Sequence, residues 1–312
     1  MENIIKVRNL KKVYSISKMF KETKYLNALN GVNFELSPGE TLGIVGESGC
    51  GKSTLAKLLT KLEDISSGEV WFNGKNINTI SDKEFKSTIQ MVFQDPYQSL
   101  NPRKKAFDII ADPLYINESL SKDEIKNRVS SAMEKVGLRF EFSERYPHQF
   151  SGGQRQRLGI ARSLMLQPKI LILDEPVSAL DVSIQAQVLN LLIDLQKELK
   201  LTYLFISHDL SVISHMSDKI MVMYLGRIVE YGTRDQIFND PKHPYTKILL
   251  ESAPEVSKKE KNKIEIKGEL PSPFSLPKGC HFQSRCPFVT DECKKDDITL
   301  KEKHDRLVAC IL

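Results

Sequence analysis

Apolar and polar positions along this chain follow two alternating patterns. Largely apolar runs at residues 41–45, 169–174 and 201–207 are typical of strands buried on both faces of a parallel sheet. Apolar residues recur with helical spacing over residues 53–62 and over most of about 96–162. Within the second region, Ser121 to Glu124 indicates the capped start of a helix. Further strands are predicted at residues 4–13, 32–36 and 69–74, with a hairpin at 219–231. The alternation predicts an α/β fold.

This pattern stops after about residue 255. Residues 257–263 form a charged segment that predicts an exposed linker, and the following residues are rich in proline and cysteine with little periodicity. We therefore predict one large domain over residues 1–255. A linker and a small Cys-rich element follow over residues 256–312.

Composition excludes some classes of function. Among 312 residues the net charge is only +5, without the clustered basic face of a nucleic-acid-binding protein. The sequence contains no apolar run of bilayer length, and its first residues lack the apolar stretch of a signal peptide. We expect a cytoplasmic chain that reaches a membrane only through a partner.

A glycine-rich loop joins the strand at 41–45 to the helix at 53–62 and matches the phosphate-binding pattern G-x-x-x-x-G-K-[ST]. Its glycines allow backbone N–H groups to turn towards phosphate oxygens. Lys52 is expected to contact the β- and γ-phosphates and Ser53 to bind Mg²⁺. We assign no chemistry to the Cys50 thiol. The loop consists of Gly46, Glu47, Ser48, Gly49, Cys50, Gly51, Lys52, Ser53 and Thr54.

Polar residues also follow two of the predicted strands and one further apolar segment. Asp174 and Glu175 end the strand at 169–174, where they suit a water-linked Mg²⁺ ligand and a group that polarises the attacking water. His208 follows the strand at 201–207 and is expected to contact the γ-phosphate. Gln94 follows an apolar segment at 89–93 and is uninformative alone.

Taken together, these residues resemble an ABC transporter ATP-binding subunit over about residues 4–255. Residues 46–54 resemble the Walker A motif, Gln94 the Q-loop, 170–175 the Walker B motif, 178–181 the D-loop and His208 the switch histidine. Residues 150–154 resemble the signature motif, with Phe150 in place of the usual leucine. The resemblance implies a P-loop cassette with a mixed central sheet, an antiparallel β subdomain and a helical subdomain at about 96–165.

The resemblance also implies how such cassettes work. Two cassettes enclose two ATP molecules, and each signature motif contacts ATP bound to the opposite subunit. In this chain the resemblance assigns those contacts to the signature residues Ser151, Gly152, Gly153 and Gln154 and to Asp181 of the D-loop. Gln94 would join Ser53 and Asp174 at Mg²⁺. The aromatic that stacks on adenine corresponds to Tyr14, with Phe20 and Tyr25 as rivals.

A narrower resemblance points to oligopeptide and dipeptide importers. It is found in five segments, at residues 94–103, 243–246, 268–273, 279–287 and 304–310. The implied partners are a second cassette, as a paralogue in a heterodimer, two membrane permeases and, indirectly, an extracytoplasmic solute-binding protein. The subunit would be peripheral, on the cytoplasmic face of the membrane, with no nucleic-acid partner.

Two alternative functions stay open at this point. Nickel importers share much of the tail. A soluble ABC ATPase acting on nucleic acid or ribosomes fits less well, because chromosome-maintenance relatives need a long heptad region and translation-factor relatives carry two cassettes.

Four cysteines crowd the tail with the spacing C-x5-C-x6-C-x16-C, at Cys280, Cys286, Cys293 and Cys310. Four thiolates in a weakly periodic segment suit a [4Fe–4S] cluster or a structural zinc ion, and spacing alone also allows unligated thiols. In the resembling importers this tail is associated with an iron–sulfur cluster, so the resemblance favours that cofactor over zinc. A zinc nucleic-acid module fits poorly, since aromatics are sparse and the charge is mixed.

Overall fold

The computed structural model describes residues 3–17, 23–252 and 271–312. The chain forms two compact units. The first unit contains residues 1–37, 41–77 and 207–312, and the second contains residues 38–40 and 78–206. The predicted linker at 257–263 lies outside the described residues, so the boundary near residue 255 stays a prediction.

The strands of the described residues are β1 (Ile5–Ile16), β2 (Lys24–Leu36), β3 (Thr41–Val45), β4 (Ser67–Phe72), β5 (Lys75–Asn76), β6 (Ile89–Val92), β7 (Ile170–Asp174), β8 (Thr202–Ile206), β9 (Lys219–Tyr224), β10 (Arg227–Thr233), β11 (Lys301–Lys303) and β12 (Arg306–Val308). The α-helices of the same residues are α1 (Lys52–Leu59), α2 (Asp82–Thr88), α3 (Pro96–Ser99), α4 (Ala106–Asn117), α5 (Lys122–Lys135), α6 (Gly152–Leu164), α7 (Val182–Leu199), α8 (Leu210–Met216), α9 (Arg234–Asn239) and α10 (Pro244–Glu251). None of these helices is both long and apolar enough to cross a bilayer.

The first unit contains two groups of strands. One is an antiparallel sheet in the order β2-β1-β4-β5. β1 runs to Ile16, whereas the alternation predicted a strand that ends at residue 13. Irregularities in its pairing with β2 shift the register after Val7, and such bulges interrupt the alternation of apolar and polar positions. The other group has the order β11-β12-β10-β9-β3, with β3 parallel to β9 and the remaining pairs antiparallel. The C-terminal hairpin β11–β12 thereby extends the strands that carry the phosphate loop.

The second unit is built on the parallel strands β8-β7-β6. All five residues of β7 and of β8 are buried, as their largely apolar sequence predicted. The helices α3 to α6 occupy the predicted helical region. At the start of α5, Ser121 and Glu124 form the capping box that their spacing indicated.

Candidate active site

The phosphate loop of the first unit runs from the end of β3 to the start of α1. Its backbone requires glycine at two positions. Gly46 has φ of 152°, and a Cβ there would lie 2.2 Å from the carbonyl oxygen of Met223. Gly51, at φ 109°, directly precedes α1, so it offers no side chain to cap the helix. The first N–H groups of α1 are therefore directed to whatever anion the loop holds.

Lys52 is buried at the centre of this loop, with 6% of its surface exposed. Its Nζ donates to the carbonyl oxygens of Gly46 at 2.7 Å and Glu47 at 3.1 Å. Two backbone carbonyl oxygens of the loop thus fix the position of the Lys52 ammonium group. Ser53 and Thr54 follow it in the first turn of α1.

Tyr14 lies beside the end of the same loop. Its phenol donates to the Glu63 carboxylate and also hydrogen-bonds the Thr54 side chain. Burial and the bond to Glu63 raise the pKa of Tyr14. Of its rivals, Tyr25 is 60% exposed, and Phe20 lies outside the described residues. Stacking of Tyr14 on adenine stays a prediction.

His208 belongs to the first unit and is exposed. The segment around it is held by two side chains: Ser207 Oγ accepts from the Asp209 N–H at 3.0 Å, and Asp209 Oδ1 accepts from Ser211 N–H at 2.8 Å. The latter bond caps α8. The histidine is thus presented from a fixed turn.

Gln94 and Glu175 meet in the second unit, beyond the carboxyl ends of the neighbouring parallel strands β6 and β7. Gln94 Nε2 donates to Glu175 Oε2 at 2.9 Å. Glu175 has φ of 48°, a conformation uncommon for a side-chain-bearing residue, and its N–H donates to the Ile206 carbonyl at 2.9 Å. Asp174, one residue earlier, is buried. Strained backbone at a strand end is typical of a functional position.

The predicted signature residues form the start of α6 in the second unit. Ser151 Oγ accepts from the Gln154 N–H, and Gln154 Oε1 accepts from the Ser151 N–H at 3.0 Å. Because the Ser151 oxygen serves as acceptor here, its own proton is available as a donor. Glycine is required at Gly153, where a Cβ would lie 2.4 Å from Ile184 Cγ2. Asp181 begins α7.

Two residues that the sequence analysis missed contact the phosphate loop within the first unit. The Glu47 N–H donates to Tyr245 Oη at 2.9 Å, and Arg285 Nη1 donates to both Glu47 carboxylate oxygens at 3.1 and 3.0 Å. Arg285 is 238 residues from Glu47 along the chain. Spacing carries no signal for such a pair.

The four tail cysteines lie within electrostatic reach of one another. Burial, with smaller contributions from Cys293, Cys310 and Cys286, raises the pKa of Cys280 to about 11. Cys293 is buried, and its carbonyl accepts from the Cys280 N–H at 2.8 Å. Within the described ranges, however, no group of three or more His, Cys, Asp or Glu side chains is arranged to hold a metal ion.

Comparison with known proteins identifies two family models in this chain. The model described as ABC transporter matches residues 29–178. The model described as oligopeptide/dipeptide transporter, C-terminal region, matches residues 229–293.

Similar curated proteins cover nearly the whole chain. The dipeptide transport ATP-binding protein DppF of Haemophilus influenzae is 54% identical in an alignment of 308 residues that covers 96% of this chain and 94% of that protein. The oligopeptide transport ATP-binding protein AppF of Bacillus subtilis is 48% identical over 100% of this chain and 98% of its own length.

The chain belongs to the ABC transporter ATP-binding proteins.

Solved structures agree with this family. cbiO1 from Clostridium perfringens, part of the ABC transporter complex cbiONQ, superposes with a TM-score of 0.67 at 32% identity and covers 77% of this chain and 92% of its own. A dimeric ATP-binding cassette bound to ADP and Pi superposes with a TM-score of 0.64 at 30% identity, covering 74% and 98%. As an ABC ATPase, the protein hydrolyses ATP and uses Mg²⁺.

Proposed function

We propose that this ABC ATPase energises the uptake of oligopeptides or dipeptides through a membrane importer. The observation that carries the proposal is the match of residues 229–293 to the peptide-transporter C-terminal region, outside the cassette match at 29–178. The names of the similar DppF and AppF proteins support the same substrate class. They favour neither nickel import nor a soluble ATPase acting on nucleic acid or ribosomes.

The first unit supplies the phosphate-binding groups in this proposal. The backbone of residues 46–54 and the ammonium of Lys52 bind the triphosphate, and His208 contacts the γ-phosphate. Tyr14, hydrogen-bonded to Thr54, stacks on adenine. The buried, carbonyl-bound Lys52 and the glycine-dependent loop support these roles.

The second unit supplies the hydrolytic groups. Glu175 orients and polarises the attacking water, and Gln94 holds the Glu175 carboxylate, as their hydrogen bond indicates. Gln94 and Asp174 of this unit offer Mg²⁺ amide and carboxylate oxygens, and Ser53 of the first unit offers a hydroxyl; these are the donors that this ion prefers. Catalysis then depends on position and charge stabilisation.

A second cassette completes each ATP site. Ser151, Gly152, Gly153 and Gln154, with Asp181, contact ATP held by the partner, and the N-terminus of α6 adds its positive dipole. The dimeric state of the similar cassette bound to ADP and Pi supports this arrangement. We expect the partner to be a paralogue rather than a second copy.

Two permease subunits complete the transporter, which an extracytoplasmic binding protein supplies with solute. The helical region at about 96–149 docks the permeases, so the protein is peripheral on the cytoplasmic face of the membrane. Exposed apolar side chains in this region, Tyr97, Tyr115 and Ile116, support that docking surface.

The tail beyond the residue 1–255 cassette binds a [4Fe–4S] cluster through its four cysteines, with structural zinc as the alternative. The resemblance of the cysteine spacing to that of peptide-importer tails supports this assignment, whereas the arrangement of the cysteine side chains in the described residues does not. Metal and sulfide analysis of anaerobically purified protein should find iron and sulfide. Zinc alone would replace the cluster with a zinc site, and protein free of both metals would remove the proposal.

Uptake of labelled peptides tests the substrate class. Cells that lack this gene should lose uptake of labelled di- or oligopeptides, and a Lys52→Ala copy should fail to restore it. Nickel uptake should be unchanged in the same cells. Loss of nickel uptake with normal peptide uptake would refute the peptide assignment.

Glu175→Gln tests the hydrolytic assignment. This variant should reduce ATP turnover at least about 100-fold, because the water loses its base, while ATP binding persists and a nucleotide-bound dimer accumulates. Glu141→Gln is a matched control, since Glu141 is 77% exposed in the same unit. Turnover near wild type in Glu175→Gln would show that another group polarises the water.

A further inference from the structure

Glu47 of the phosphate loop is restrained through its carbonyl, its N–H and its carboxylate. Its carbonyl accepts from Lys52 Nζ at 3.1 Å, its N–H donates to Tyr245 Oη at 2.9 Å, and its carboxylate accepts twice from Arg285 Nη1. Backbone and side chain are therefore held at three points. Two of these partners, Tyr245 and Arg285, come from the C-terminal region of the chain.

Arg285 is itself held firmly on the loop. Only 9% of its side chain is exposed, and Nη1 also donates to Tyr224 Oη at 3.3 Å. Phe282, three residues earlier in the tail, packs edge-on against Tyr224 and lies 5.4 Å from Tyr245, ring centroid to centroid. An arginine anchored in an aromatic cluster loses little side-chain entropy on pairing.

The same tail segment contacts the turn that supports the other side of the loop. His281 Nδ1 lies 3.3 Å from the Leu225 carbonyl oxygen, and the next residue, Gly226, donates its N–H to the Cys50 carbonyl at 2.9 Å. The C-terminal region therefore contacts the phosphate loop directly at Glu47 and through this turn at Cys50.

The positive charge of Arg285 affects how strongly the phosphate loop binds ATP. A carboxylate within a triphosphate-binding loop repels the ligand and opposes the charge of Lys52, unless a cation neutralises it. Arg285 is the basic residue that the structure pairs with Glu47. We propose that Arg285 is a positioning residue for ATP: it holds and neutralises the Glu47 carboxylate, so the C-terminal tail sets the affinity of the phosphate loop for the triphosphate.

Binding of MgATP and MgADP to the full-length protein tests this proposal. Arg285→Gln should raise the Kd for ATP about tenfold, because it leaves an unpaired negative charge within the loop that binds the triphosphate. The increase should be smaller for ADP, which carries less charge, and should shrink as salt is raised. The KM for ATP should rise by a similar factor while kcat changes less.

The direction in which each single variant changes the Kd for ATP distinguishes this electrostatic role from a structural one. Glu47→Gln should tighten ATP binding, since it leaves the positive charge of Arg285 at the loop with no carboxylate to offset it. The double variant Arg285→Gln/Glu47→Gln should return to within about twofold of wild type. If Glu47→Gln weakens binding as much as Arg285→Gln does, the pair only supports the loop and the proposal is wrong.

Two further variants separate this inference from the assignment on which it rests, that residues 46–54 bind the triphosphate. Lys52→Ala should lose ATP binding; if it does not, the loop assignment itself fails. Asp297→Asn breaks another arginine–carboxylate tie of the tail, to Arg227 at 3.0 Å, and should leave the Kd unchanged. If Asp297→Asn weakens binding as Arg285→Gln does, general loosening of the tail explains the effect. Should Arg285→Gln fold poorly, Arg285→Lys, which keeps the positive charge, should bind ATP within about twofold of wild type, and a tenfold loss in that variant would refute the electrostatic role.

Discussion

Arg306 joins the C-terminal strand β12 to the rest of the first unit. Its guanidinium, 5% exposed, lies 3.6 Å from the carboxylate of Glu230, which is fully buried. Nη1 also donates to the carbonyl oxygens of Gln236 at 2.9 Å and Asp240 at 2.6 Å. Replacement by methionine keeps the apolar stem and removes all of these contacts at once.

The size of the effect follows from what the substitution leaves buried. Glu230 keeps two backbone donors, the N–H groups of Lys242 and His243 at 2.9 Å each, and loses its cation. Removing one partner of a buried pair costs about 3–5 kcal/mol. The pair with the Asp240 carboxylate, which is 58% exposed, adds little. We expect Arg306→Met to lower the free energy of unfolding by about 4 kcal/mol.

Urea unfolding followed by tryptophan fluorescence measures this loss. Trp71 is the single tryptophan of the chain and lies in β4, in the same structural unit as Arg306. Lys294→Met is the control: its ion pair with Asp291 is exposed at 56% and 87%, and its removal should cost less than about 1 kcal/mol. Adding Glu230→Gln to Arg306→Met should recover part of the loss. A loss no larger than that of the control would refute the argument.

Three further outcomes are expected. Burial lowers the pKa of His243 to about 3. As the pH falls, the unfolded chain therefore binds this proton before the folded chain does. The free energy of unfolding keeps its full value above about pH 6.5 and falls by about 2 kcal/mol by pH 5. His243→Asn, which keeps an acceptor for the Tyr245 N–H, should remove that pH dependence in unfolding titrations. Gly46→Ala should abolish ATP binding in equilibrium assays, because at its positive φ the added Cβ would clash with the Met223 carbonyl oxygen and the Cys50 sulfur, whereas Gly159→Ala, with open space around it, should not. Ser151→Ala should cost about 1 kcal/mol in thermal unfolding through the lost cap of α6.

Local features of the fold could be predicted from sequence. The apolar runs of β3, β7 and β8, the turn between β9 and β10 and the capped start of α5 depend on residues close together in the chain. Periodicity and turn chemistry report such features directly. The extension of β1 to Ile16 was missed, because bulges interrupt the alternation that marks a strand.

Contacts across the chain could not be predicted in this way. Gln94 alone was uninformative until the parallel pairing of β6 and β7 brought it to Glu175, 81 residues away. The hairpin β11–β12 showed little pattern in a tail without periodicity, yet it pairs with β10. Such contacts depend on strand order and register, which spacing does not encode.

The sequence by itself determined the chemistry of this protein: a strand, a glycine-rich loop and a helix make a phosphate site wherever they occur together, because backbone conformation and N–H direction are local properties. Tertiary structure alone decided what surrounds that loop. Arg285 and Tyr245 contact Glu47 only because the chain returns to it after some 200 residues, and their effect on charge depends on distances that folding sets.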